Sequence, residues 1–204
     1  MIKKIVSLIS ILSLAACGGS GSSGGASTDG GTSGAGGSLS DLATATKWQT
    51  SCLQGTSIQY GSQVVVSGNT LVLTTAYYND ASSCGTIYKV ERATFTAATD
   101  GTSASNTSAT SLNLTLTKLE YMPASASAQS DMNTGVDCGL SSWTAGSYKD
   151  VTATGCNTYS STLYTIFAIT GGSTLALGQQ SGGNNGSSSS LRHTQLNSST
   201  FAKQ

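Results

Sequence analysis

Gln63-Val64-Val65-Val66-Ser67-Gly68-Asn69-Thr70-Leu71-Val72-Leu73-Thr74-Thr75-Ala76-Tyr77-Tyr78 reads as two β-strands and the turn between them. Leu71, Leu73, Thr75 and Tyr77 fall on one face and Val72, Thr74, Ala76 and Tyr78 on the other, a spacing that only a strand uses. Ser67-Gly68-Asn69 supplies a short Gly-containing hairpin turn. Outward from this hairpin the same period recurs. Leu112-Asn113-Leu114-Thr115-Leu116-Thr117 alternates strictly, so its leucines face a core and its polar residues face water. Residues 46–53, 86–97, 163–170, 174–178 and 194–201 are further strand candidates, and Gly171-Gly172-Ser173 joins two of them as a second tight hairpin. Only Ser125 to Asn133, after Pro123, has helical character, enough for two or three turns. About eight antiparallel strands joined by hairpins predict an all-β chain. Closure into a single up-and-down β-barrel is favoured because it removes exposed edges, with a two-sheet β-sandwich as the alternative.

The first residues carry a different signal. Lys3 and Lys4 precede an apolar run from Ile5 to Leu14, which ends in Leu14-Ala15-Ala16-Cys17. Such a run is too short to span a bilayer, for which roughly 20 residues are needed, and reads as an export signal. Leu-Ala-Ala-Cys resembles the lipobox of bacterial lipoproteins. That resemblance implies a diacylglycerol on Cys17, removal of residues 1–16, and anchoring in the membrane through Cys17. Gly18 stands where lipoproteins kept in the inner membrane commonly carry Asp, so the outer membrane is the expected location. Residues 17–38 then form the lipidated Cys and its tether: of the 21 residues from Gly18 to Ser38, 16 are Gly or Ser. The G-x-G-x-x-G and G-x-S-x-G matches in this tract lack the strand before and helix after that such motifs need.

Residues 39–204 remain for one domain with its own core. Charged residues are 9% of the chain, and without Lys3 and Lys4 seven basic side chains face nine acidic ones, so there is no basic field for nucleic acid. Besides Cys17, the chain holds Cys52, Cys84, Cys138 and Cys156, an even number suited to disulfides in an exported protein. Three connectivities are open. Cys52–Cys84 and Cys138–Cys156 are preferred because each bridge joins neighbouring segments, around loops of 33 and 19 residues. A structural zinc site needs close pairs of cysteines, which are absent from the sequence, and no metal or cofactor is expected.

Trp48 with Cys52, Tyr77-Tyr78-Asn79-Asp80 before Cys84, and the stretch from Leu163-Tyr164-Thr165-Ile166 through Leu175-Ala176-Leu177-Gly178 to Leu191-Arg192 together resemble lipoproteins with lipocalin-like barrels. In lipocalins a first-strand Trp packs beneath an Arg from the last strand. The resemblance therefore implies that Trp48 and Arg192 close the barrel base, although Thr46 stands where the family has Gly.

Chemistry is sparse. His193, the only histidine, is read as a surface or rim residue, and Lys118 with Glu120 as a solvated pair. Trp143 and Tyr148 flank Gly146 between two cysteines and are candidates for ligand or partner contact at a barrel mouth. The expected function is that of a lipid-anchored, non-enzymatic interaction module, meeting envelope protein or glycan. The alternative is a barrel that binds a small apolar or amphipathic ligand, which requires an interior cavity of about 300 Å³ or more.

Overall fold

The computed structural model describes residues 36–55, 58–79 and 84–204. The lipobox and Cys17 lie outside them. In chain order the elements are α1 (Leu39–Leu42), β1 (Trp48–Gln49), β2 (Leu53–Gln54), β3 (Gln59–Ser67), β4 (Thr70–Tyr78), β5 (Ile87–Thr102), β6 (Thr110–Pro123), α2 (Ala126–Thr134), β7 (Lys149–Asp150), β8 (Thr162–Thr170), β9 (Thr174–Gln179), β10 (Gln195–Leu196) and β11 (Phe201–Lys203).

Eight of these strands make a closed antiparallel barrel in the order β1-β11-β9-β8-β6-β5-β4-β3, and β3 returns to β1. The short strands β2, β7 and β10 attach to β3, β6 and β9. The quoted hairpin pairs without slip from Gln59↔Tyr78 to Ser67↔Thr70, and Gly68 at φ 57° makes its turn. Only residues without a Cβ take that conformation cheaply.

Register places one inward residue from each strand on a common rung. Across β3, β4, β5 and β6 the rungs are Val66–Leu71–Phe95–Leu116, then Val64–Leu73–Ala93–Leu119, then Ser62–Thr75–Glu91–Tyr121, then Tyr60–Tyr77–Lys89–Pro123. The interior therefore grades from apolar to polar along the barrel. Extra residues in β6 and β5, between Thr94/Phe95 and Thr99/Thr102, keep the leucines inward while the long strands coil.

Each end is closed. At the apolar end Ser38 and Asp41 form a reciprocal capping box that starts α1, and fully buried Leu42 drops into the core. The Trp48 indole N–H donates to the Leu42 carbonyl at 2.8 Å. At the polar end the chain between β6 and β8 folds into a plug. Ser125 caps α2, whose Met132 is buried, and both faces of the Asn133 carboxamide hold the Trp143 backbone, at 2.7 and 3.1 Å. The disulfide Cys138–Cys156 ties this plug together, and Cys52–Cys84 joins the β1–β2 bend to the segment before β5.

Several boundaries differ from the sequence reading: β5 runs on to Thr102 and β6 to Pro123, and four others have local causes. Gly36, Gly37 and Ser38, assigned to the tether, are already packed. Ile169 donates to the Gly36 carbonyl at 3.2 Å, Thr110 Oγ1 donates to the Gly37 carbonyl at 2.6 Å, and a Cβ on Gly36 would lie 2.6 Å from the Ala109 Cα. The strand expected over 46–53 breaks into β1 and β2 at Thr50, whose N–H still donates to the Ser62 carbonyl at 2.9 Å while its Oγ1, in place of its own carbonyl, accepts from the Ser62 N–H. The strand expected over 194–201 breaks into β10 and β11 at Asn197, whose Oδ1 accepts from the Ser199 N–H in an Asx turn. The helix expected over 125–133 runs from Ala126 to Thr134, with Ser125 as its cap.

Candidate functional site

The barrel offers two places for a site, its interior and its outer wall. Inside, alternation along β5 sends Lys89, Glu91, Ala93 and Phe95 inward. Glu91 is 2% exposed, and its carboxylate accepts from Tyr159 Oη at 2.8 Å and, more weakly, from Tyr77 Oη at 3.5 Å. The Tyr159 ring also meets Phe95 edge-on, with centroids 5.6 Å apart, which fixes the plug against the barrel core. The Lys89 ammonium lies 4.2 Å from the centre of the Tyr121 ring and 5.3 Å from that of Tyr77, a cation–π arrangement.

Burial, reinforced by the Glu91 charge, pushes the Tyr77 and Tyr159 phenols well above their ordinary range. They stay protonated and act as donors. Burial pulls Lys89 below the ordinary lysine value, although Glu91 and Asp137 oppose that shift. Carboxylate and phenols thus satisfy one another, with the ammonium held against the Tyr121 and Tyr77 rings, and the arrangement works as a tie between wall and plug. Sequence reasoning passed over Glu91 as a site residue, yet its two-residue spacing from Ala93 and Phe95 carried the signal.

The large side chains Trp48, Leu71, Phe95, Leu112, Leu119, Phe167 and Leu175 fill the remaining interior. Two concavities, of about 150 and 110 Å³, open to the outside. Both fall short of the roughly 300 Å³ at which small-molecule pockets begin.

The predicted site residues disperse. Trp48 gives its indole N–H to Leu42, whereas the Arg192 guanidinium stands 5.5 Å from the Tyr164 ring centre. Arg192 also donates to the carbonyls of Leu112 and Thr165 at 3.2 and 2.9 Å and to Asp100 at 3.3 Å. These bonds across β6 and β8 hold Arg192 away from the expected Trp48 pairing, so Tyr164 takes the place of the tryptophan.

Trp143 is 1% exposed with its indole N–H on the Leu140 carbonyl, which makes it part of the plug core. Tyr148 instead lies on the outer wall, its ring 3.6 Å beneath the Arg92 guanidinium. The two do not form the expected mouth.

Arg92 and Lys118 both reach Glu120 at 2.8 Å, and Glu120 is largely buried beneath them. Burial raises its pKa, but hydrogen bonds and charge from Lys118 and Arg92 outweigh that and hold it below the ordinary carboxylate value. The Lys118–Glu120 pair is therefore part of a three-residue network and is less solvated than its sequence suggested.

His193 is the clearest correction. Expected at the surface, it is 1% exposed, with Nδ1 2.9 Å from Thr165 Oγ1. Gly178 makes room for it, since a Cβ there would sit 2.9 Å from the His193 Cβ and 2.5 Å from Thr165 Oγ1. Burial lowers its pKa and favours the neutral ring. Among the described residues no three His, Cys, Asp or Glu side chains are grouped to hold a metal ion.

On the outer wall a polar rung crosses six strands: Gln49–Gln63–Thr74–Arg92–Glu120–Asp150. At its neutral end lies the larger concavity, a groove beside the Cys52–Cys84 bridge. No protein-family model matches this chain, and no curated protein is significantly similar to it.

Proposed function

We propose that this protein is a lipid-anchored component of the cell envelope, held at the bacterial outer membrane through Cys17, that acts as a non-enzymatic interaction module. One observation carries the reading: the barrel is filled by its own side chains and plugged at both ends, so recognition falls to its outer wall. The Glu91 carboxylate is engaged by Tyr159, and the His193 ring, which lines the smaller concavity of about 110 Å³, is engaged by Thr165. The anchor rests on Leu14-Ala15-Ala16-Cys17. Two acyl chains suffice for stable attachment, at about 0.8 kcal/mol per buried methylene.

Intact-mass measurement of the protein purified from bacterial membranes tests both halves. A chain that begins at a diacylglycerol-modified Cys17, with no apolar small molecule in its organic extract, is the expected result. An unmodified Cys17 would remove the anchor, and a stoichiometric apolar ligand would favour the ligand-carrying barrel instead.

A further inference from the structure

We propose that the outer groove between Gln49, Gln63, Thr74 and Tyr78 binds a neutral sugar ring of an envelope glycan. This rests on reading the protein as an outward-facing interaction module, and it names that module's site.

The floor of the groove is the rung Gly61–Ala76, next to the rung Gln49–Gln63–Thr74. Gly61 lies within β3, where a glycine weakens the strand. Neither of the usual structural reasons applies to it. Its φ is not in the left-handed region, and a Cβ built there would meet only the edge of Tyr78, at the ordinary contact distances of 3.7 and 3.9 Å. What the missing side chain preserves is the depth of the groove. A glycine in an unslipped stretch of strand is among the places where a ligand can approach the backbone closely.

The lining specifies the chemistry of that visitor. Gln49 and Gln63 are direct cross-strand neighbours, and their carboxamides make no hydrogen bond to another described residue. Each presents both a donor and an acceptor, the pairing that a sugar hydroxyl uses. Thr74 adds a hydroxyl on the same rung. The hydroxyl and ring edge of Tyr78 lie beside Gly61 and add a further hydroxyl and an apolar edge to the lining. Among the described residues, no Asp, Glu, Lys, Arg or His lines the groove. The nearest charge on the rung, Arg92, is tied to Glu120 at 2.8 Å. The cavity of about 150 Å³ suits one ring of a longer chain whose remainder runs along the wall.

The full chain, isotopically labelled and purified in a detergent without sugar headgroups, is titrated with maltotriose, cellotriose and triacetylchitotriose while amide chemical shifts are followed. At least one trisaccharide is expected to produce saturable shifts at the Gln49 and Gln63 side-chain amides and the Gly61 N–H, with a Kd of roughly 1 mM. Gly61→Val fills the groove in a conformation that valine favours. It is expected to weaken binding at least tenfold while the melting temperature holds or rises.

Silence with all three sugars overturns the proposal, as does unchanged binding by Gly61→Val. Saturable shifts elsewhere on the outer wall overturn this groove and leave the interaction module standing. Shifts confined to Phe95, Leu119 and the other interior residues overturn both.

Discussion

The two ends of the barrel are closed by opposite physics. At the α1 end a helix of four residues drops Leu42 onto Trp48, and one buried hydrogen bond, from the indole to the Leu42 carbonyl, supplements an apolar contact. At the α2 end a long excursion carries Tyr159 into the barrel to meet Glu91, with Lys89 between two tyrosine rings and a disulfide holding the excursion in shape. The first closure depends on area and tolerates small shifts. The second depends on direction, because a buried carboxylate that loses its donors costs more than the bonds were worth. A barrel wall can thus be sealed cheaply by a short apolar cap, or sealed in fixed register by a polar tie.

Five measurements would break or sharpen that contrast. Trp48→Ala should cost about 3–5 kcal/mol, since it leaves a large cavity under α1. A thermal midpoint within a degree or two of the parent would mean that the apolar end carries little of the fold. Removing the staple with Cys138→Ser and Cys156→Ser together should cost about 3 kcal/mol in the chain-entropy model and open the α2 end to protease first. Equal cleavage at both ends would dissolve the distinction.

Tyr159→Phe removes only the hydroxyl that donates to Glu91, and the expected loss is about 1.5–3 kcal/mol, typical of a hydrogen bond to a charged group. This tie also has a pH signature. The folded pKa values of Tyr77 and Tyr159 lie above the unfolded value of 10, so their contribution is complete below pH 10 and is lost as pH rises further. Lys89 has the opposite sense, because its folded pKa is depressed and its penalty fades as pH climbs toward 10.5. Phenolate absorbance should therefore show Tyr77 and Tyr159 ionising only together with unfolding above pH 10. Smooth ionisation of all eight tyrosines in the folded state would argue against a dry, polar end.

Ser38→Ala, which breaks the capping box of α1, should have the smallest effect, about 1 kcal/mol. A loss as large as that of Trp48→Ala would show that the capping box carries the apolar end.

Much of the architecture was legible in alternation. Leu71, Leu73, Thr75 and Tyr77 face inward as their spacing required, and the same arithmetic places Glu91 inside with Ala93 and Phe95. The closed antiparallel barrel agrees with that reading. What alternation does not reach is any residue outside a strand. His193 is buried because Gly178 leaves space for it from another strand, a long-range fit with no local pattern. Arg192 chose Tyr164 over Trp48 because the carbonyls of Leu112 and Thr165 capture its guanidinium. The α1 cap lay within the Gly/Ser tract, where composition outweighed the Ser38-x-x-Asp41 signature that was there to be read.

The closing seam is narrow: β1 meets β11 through Trp48↔Lys203 and Gln49↔Ala202, β11 meets β9 through Phe201↔Leu175 and Ala202↔Thr174, and one further backbone hydrogen bond extends each side, Gln204 N–H to the Lys47 carbonyl and Lys203 N–H to the Ser173 carbonyl. The first strand must wait for the last one, with every other strand synthesised in between. A nascent chain still threaded through a ribosome or an export channel at β10 therefore has an open sheet with two unpaired edges, and its ring shuts only once β11 has emerged. The interval before β11 emerges is when this protein is most exposed to self-association, and a chaperone covering β1 and β9 would serve it then.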